Sequence, residues 1–124
     1  VKDGRLFYEQ SLLPWREVID GGPVPTGKVE LRYRQTMNSR PFDGSGALFV
    51  NGEKRAERTY AHALFSTSYD GFSVGADLGN RVSPAYVAPF PFAGSIQRVR
   101  IEVDNSALSP VETMRFLNAM ALRV

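Results

Sequence analysis

The sequence predicts an all-β protein, an antiparallel β-sandwich of jelly-roll type with one short C-terminal helix. Three observations carry this. Lys28-Val29-Glu30-Leu31-Arg32-Tyr33-Arg34 alternates strictly between apolar and charged residues, as a strand with one face in water does. Asn51-Gly52 stands between two strand-like arms, which is the strongest short-range hairpin signal. The 8 Pro and 11 Gly are spread along the chain, so turn signals recur at the short intervals of a many-stranded domain. A length of 124 residues suits one domain, 1–124, with a single core.

The elements follow in chain order. Asp3-Gly4 fits a type I′ turn, which needs positive φ at both central residues, and Arg5-Leu6-Phe7-Tyr8 is its second arm. Its first arm is almost absent, so a partner strand is expected upstream of Val1. Pro23, Pro25 and Gly27 mark a loop before the alternating strand, in which Val29, Leu31 and Tyr33 share one face and Lys28, Glu30, Arg32 and Arg34 the other. Residues 37–46 have no period and read as a loop. Ala47-Leu48-Phe49-Val50 is the first arm of the Asn51-Gly52 hairpin. The second arm, 53–58, is so polar that it reads as exposed or as an edge strand.

Phe72-Ser73-Val74-Gly75 reads as a short strand and 79–91 as a long loop punctuated by proline. Residues 95–103 read as a long strand. Val99, Ile101 and Val103 share parity while Ile96 is out of phase, so a bulge is expected near Gln97-Arg98. Ser109-Pro110-Val111-Glu112 is a helix start, with Ser at the N-cap, Pro at N1 and Glu at N3. Residues 109–122 form the terminal helix, packing through Val111, Met114 and Leu117.

Composition removes several classes of function. Lys plus Arg is 15 and Asp plus Glu 13, a net charge of +2 with no basic block, which argues against nucleic acid. The absence of cysteine excludes a disulfide scaffold, a thiolate metal site and a cysteine nucleophile, and fixes no cellular compartment. No run approaches the roughly 20 apolar residues of a membrane-spanning helix, so no membrane insertion is expected. There is no Walker A motif, no dinucleotide fingerprint and no G-x-S-x-G.

His62 is the only histidine and reads as a surface or loop residue. Asp70 and Asp77 are loop carboxylates of a kind that binds Ca²⁺. The favoured reading is that each bonds nearby backbone amides and shapes its turn. Trp15, Tyr60, Tyr86, Phe90 and Phe92 are the aromatic residues available to stack on a sugar or a partner. Tyr86 is the strongest candidate because it lies in the long 79–91 loop, and Arg81 lies in the same loop.

Two levels of resemblance add to this. Leu48-Phe49-Val50-Asn51-Gly52-Glu53-Lys54, with Val74-Gly75, residues 92–101 and Ala107-Leu108-Ser109-Pro110, resembles the hairpin, closing strands and terminal helix of laminin-G-like, concanavalin A-like jelly rolls. More narrowly, VKDGRLFYEQ, VPTGKVELRYRQ, GSGALFVNGEKRAE and FSVGADLGNRVSPAYVAPFPFAGSIQRVRIEV resemble, in order and spacing, the C-terminal region of bacterial arylsulfatases. Its most specific part runs from Val74-Gly75-Ala76-Asp77-Leu78-Gly79 through Val82-Ser83-Pro84-Ala85-Tyr86 to Pro89-Phe90-Pro91-Phe92.

The resemblance implies a parent sulfuric ester hydrolase that uses a formylglycine, made within a Cys/Ser-x-Pro-x-Arg motif, and a Ca²⁺ held by carboxylates. That motif is not in this sequence, and Ser39-Arg40-Pro41 does not match it. The chain is therefore expected to be a non-catalytic C-terminal domain without cofactor of its own, packed on an upstream catalytic sulfatase domain and shaping its substrate cleft. Arg81 and Tyr86 are the expected contacts with that domain or with substrate. A carbohydrate-binding, lectin-like module is the alternative. The incomplete first hairpin also leaves residues 5–8 with an open edge, which implies self-association through it.

Overall fold

The computed structural model describes residues 1–12, 14–38, 43–63, 73–78 and 81–102. Among them are seven strands, all paired antiparallel: β1 (Arg5–Leu12), β2 (Trp15–Pro23), β3 (Leu31–Met37), β4 (Gly44–Val50), β5 (Glu53–Tyr60), β6 (Ala76–Asp77) and β7 (Phe90–Pro91). They make a two-stranded sheet β1-β2, a three-stranded sheet β3-β4-β5 and a short ribbon β6-β7. The chain is thus mostly β, without a helix among the described residues.

Turn chemistry sets the register. Asp3 and Gly4 have φ of 51° and 71°, and Lys2 and Arg5 exchange both backbone hydrogen bonds, at 2.9 and 3.0 Å. Asn51 and Gly52 adopt φ of 49° and 81°, which the short Asn side chain and bare Gly tolerate. The Asn51 side-chain oxygen accepts from the Glu30 amide at 2.9 Å, and the Asn51 amide donates to the Glu30 carbonyl at 2.8 Å. The hairpin tip thereby fastens the start of β3.

The inner faces of the two larger sheets meet. β1 sends Leu6, Tyr8 and Gln10 inward, and β2 sends Glu17, Ile19 and Gly21. From the other sheet come Tyr33, Leu48, Val50 and Tyr60, and with Ala63 these apolar groups make the core. The approach at Gly21 is close, since a methyl group there would meet the Leu48 Cδ1 at 3.0 Å. On the outer face, Arg32 and Arg34 lie 4.4 and 5.1 Å from the Phe49 ring centroid and cover it, and both Phe49 and Ala47 are buried there.

Two polar devices join the sheets. Glu17 is buried and its Oε1 accepts from the amides of Ala61 (2.9 Å) and His62 (3.3 Å), while Oε2 lies 3.0 Å from Arg58 Nη2 as an ion pair. Gln10 donates to the His62 carbonyl at 2.8 Å. The bend after β5 is therefore held by side chains of β1 and β2. Next to Gln10 the Tyr8 and Tyr33 rings stack at 3.5 Å, and the hydroxyls of Tyr33 and Tyr60 are 2.7 Å apart.

The sequence expectations meet this structure unevenly. Both turns form, the inward parity of Tyr33 holds, and among the described residues the polar arm β5 is an edge strand. Residues 5–12 take β2 as their partner, so a full partner strand exists within the chain; the other edge of β1 carries only the Lys2–Arg5 bridge among the described residues. The expected 37–46 loop is wrong at its end, because β4 begins at Gly44. The 72–75 strand is also corrected: Val74 and Gly75 bend, and the strand is Ala76–Asp77. The long strand over 95–103 is not formed in 95–102, where Ile96, Val99 and Ile101 are 45%, 50% and 66% exposed. Alternation fits a strand only when a neighbour takes its backbone groups, and no described residue does so there; among the described residues the expected bulge has no ladder to sit in. The 109–122 helix lies outside the described residues.

Candidate functional site

The 81–90 loop is pinned at its base. β6 and β7 pair as Ala76↔Pro91 and Asp77↔Phe90, and the Phe92 amide donates to the Gly75 carbonyl at 2.7 Å. Gly75 sits at φ 84°, a left-handed bend that a side chain would strain.

Asp77 organises the loop from this base. Its Oδ2 accepts from the Val82 amide at 3.1 Å and from the Tyr86 hydroxyl. The Tyr86 ring stacks on Phe90 at 4.5 Å, and Arg81 Nη1 donates to the Tyr86 carbonyl at 3.4 Å. Burial, and then the neighbouring Asp77 carboxylate, push the Tyr86 pKa up to about 12, so the phenol remains a donor at neutral pH.

A second tie crosses to the first sheet. Ser83 is buried, and its hydroxyl accepts from Arg16 Nη2 at 3.2 Å and from the Ala85 amide at 3.1 Å. Arg16 is also paired with Glu9. Between the loop and the outer face of β1-β2 lies a cleft of about 500 Å³, with Phe7, Val18, Val82, Tyr86 and Phe90 among its walls. Its charges are matched in pairs, Arg5 with Asp20 at 3.0 Å, Arg16 with Glu9 and Lys2 with Asp3 at 2.8 Å. The amide of Gly22 and then Arg5 hold the Asp20 carboxyl below its usual range.

The structure brings Arg81 and Tyr86 together, as their shared loop implies. Asp77 bonds a backbone amide and shapes its turn, as read from the sequence. His62 lies in the bend after β5 with its ring stacked on Trp15 at 4.2 Å. Tyr60 is corrected: at 4% exposure it is a core residue and offers no stacking platform. Asp70 lies outside the described residues. Sequence reasoning missed the Asp77–Tyr86 and Arg16–Ser83 contacts, which join residues 9 and 67 positions apart. Among the described residues no three His, Cys, Asp or Glu groups converge.

Comparison with known proteins adds no relative: no protein-family model, no curated protein and no solved structure matches the chain. The geometry itself describes a mainly apolar cleft beside a loop that carries Arg81 and Tyr86 and is held by internal hydrogen bonds.

Proposed function

We propose that the chain is a non-catalytic accessory domain of an arylsulfatase-like sulfuric ester hydrolase, and that its packed sheets belong to a jelly-roll sandwich. It docks on the catalytic domain through the 81–90 loop and shapes the mouth of the substrate cleft. Arg81 supplies a charged contact and Tyr86 sets the loop's shape. The formylglycine and Ca²⁺ belong to the catalytic domain.

One observation supports docking at this loop above the others. Leu78, Val82 and Val87 are 69%, 41% and 77% exposed on a loop that internal hydrogen bonds hold in shape, and Phe7 is 38% exposed across the cleft. Large apolar side chains exposed on a hydrogen-bonded loop suit a surface that a partner covers. The assignment to a sulfatase rests on the sequence resemblance.

Purification of the native protein from its source cells tests this. The preparation is expected to hold, in the same polypeptide or a stable complex, a catalytic chain with a Cys/Ser-x-Pro-x-Arg motif, and to hydrolyse p-nitrophenyl sulfate. Arg81→Ala and Tyr86→Ala are expected to raise KM or to loosen the two parts. A native species without such a chain, or glycan-array binding by the 124-residue chain with no sulfatase partner, overturns the assignment.

A further inference from the structure

We propose that the cleft between the 81–90 loop and the outer face of β1-β2 is a binding site for a small uncharged aromatic ligand. Its walls are apolar on both sides. Phe7 of β1 and Val18 of β2 are diagonal neighbours on the outer face, since Phe7 faces Asp20 and Val18 faces Glu9 in the register. Val82, Tyr86 and Phe90 make the other wall, with the two rings stacked at 4.5 Å. Phe7 and Val82, on opposite walls, are 38% and 41% exposed, so the space between them is open to a molecule from solvent.

The space of about 500 Å³ matches a small molecule, because clefts of roughly 300–1,000 Å³ hold ligands of drug size. It is also held open by bonds already made. Arg16 belongs to β2, and its Nη2 donates to Ser83 Oγ at 3.2 Å, which ties one wall to the other. Asp77 fixes the loop through the Val82 amide and the Tyr86 hydroxyl. A cleft set in this way loses little freedom when it is filled.

Charge selects the ligand. The charged side chains that line the cleft are each in an ion pair: Lys2 with Asp3, Arg5 with Asp20, and Arg16 with Glu9. An ion entering the cleft gives up water beside groups that are already neutralised, whereas an uncharged ring meets aromatic and branched side chains. The rings of Phe7, Tyr86 and Phe90 favour an aromatic molecule over an aliphatic one, through stacked or edge-to-face contact.

Such a site needs no catalytic partner, so its test stands apart from the docking account. The isotope-labelled 124-residue chain is titrated with indole, indoleacetate and tryptamine, which carry the same ring system as a neutral molecule, an anion and a cation, and is followed by NMR. Indole is expected to shift the amides of Phe7, Val82 and Tyr86 saturably, and the two charged forms are expected to bind about tenfold more weakly. Phe7→Ala is expected to weaken indole binding about tenfold. Val82→Trp, which fills the cleft from an exposed position, is expected to abolish it, so the test survives if Phe7→Ala fails to fold. No saturable binding, a charged form that binds as tightly as indole, or unchanged affinity in both variants overturns the site.

Discussion

The hydroxyls of Tyr33 and Tyr60 meet 2.7 Å apart above the bare Cα of Gly46, where a methyl group would lie 2.0 Å from the Tyr60 Oη and 2.7 Å from Tyr33 Cε2. The pair, with Tyr8 stacked on Tyr33 and Gln35 accepting from the Tyr33 hydroxyl at 3.0 Å, closes one side of the core. Two rigid rings cannot both move aside in a packed interior. Gly46→Ala is therefore expected to cost about 1–3 kcal/mol, read as a lower urea midpoint at unchanged m-value. An unaltered midpoint would show that the tyrosines are not held there.

Alkaline stability follows from the same cluster. Burial pushes Tyr60 up to about 12 and moves Tyr33 and Tyr8 upward as well. Unfolded tyrosines titrate near pH ~10, so above that pH the unfolded chain releases protons that the folded chain retains. This part of the stability is complete below pH ~10 and is lost as pH rises from there through about 12. Urea unfolding from pH ~8 to ~11 is expected to show a flat region and then a steep fall, and Tyr33→Phe is expected to lessen the fall.

Glu17 is expected to be the most costly single carboxylate to remove. Its side chain is 5% exposed and holds two backbone amides and Arg58. Glu17→Ala leaves those amides without their acceptor and removes the ion pair to the half-exposed Arg58, which still donates to the Val18 carbonyl, a change worth about 1–3 kcal/mol. Glu17→Gln retains one acceptor and is expected to cost less. Denaturation of both variants by urea checks the order.

The loop clamp is tested by Asp77→Ala, which removes the acceptor of both the Val82 amide and the Tyr86 hydroxyl. Exchange of the Val82 and Ala85 amides is expected to speed up by about tenfold, with the β4 amides unchanged. Protection that stays the same in the loop would show that the β6-β7 ribbon alone holds it.

How far the sequence shows this structure depends on what each signal measures. Asp3-Gly4 and Asn51-Gly52 are local rules about positive φ, and both were legible. The β3 parity was legible because one face is wet. β2 was not, because the inward position of Glu17 breaks hydrophobic alternation; its burial is offset by amides 44 and 45 residues away in the chain. Gly44-Ser45-Gly46 reads as loop punctuation, yet Gly46 is in a strand to leave room for two tyrosines. Residues 95–102 carry strand alternation without a neighbour to pair with among the described residues, which periodicity cannot report. At the site, loop membership placed Arg81 beside Tyr86, whereas the Arg16–Ser83 tie depends on how two distant segments fold together.

Cross-linking at Val87 tests the docking account most directly. This side chain is 77% exposed at the head of the loop. With a photo-reactive residue in its place, the native assembly is expected to yield a cross-link to the chain segment that carries the Cys/Ser-x-Pro-x-Arg motif or its flanks. Cross-links confined to copies of this chain, or none above those from a probe at the exposed Thr26, would contradict it.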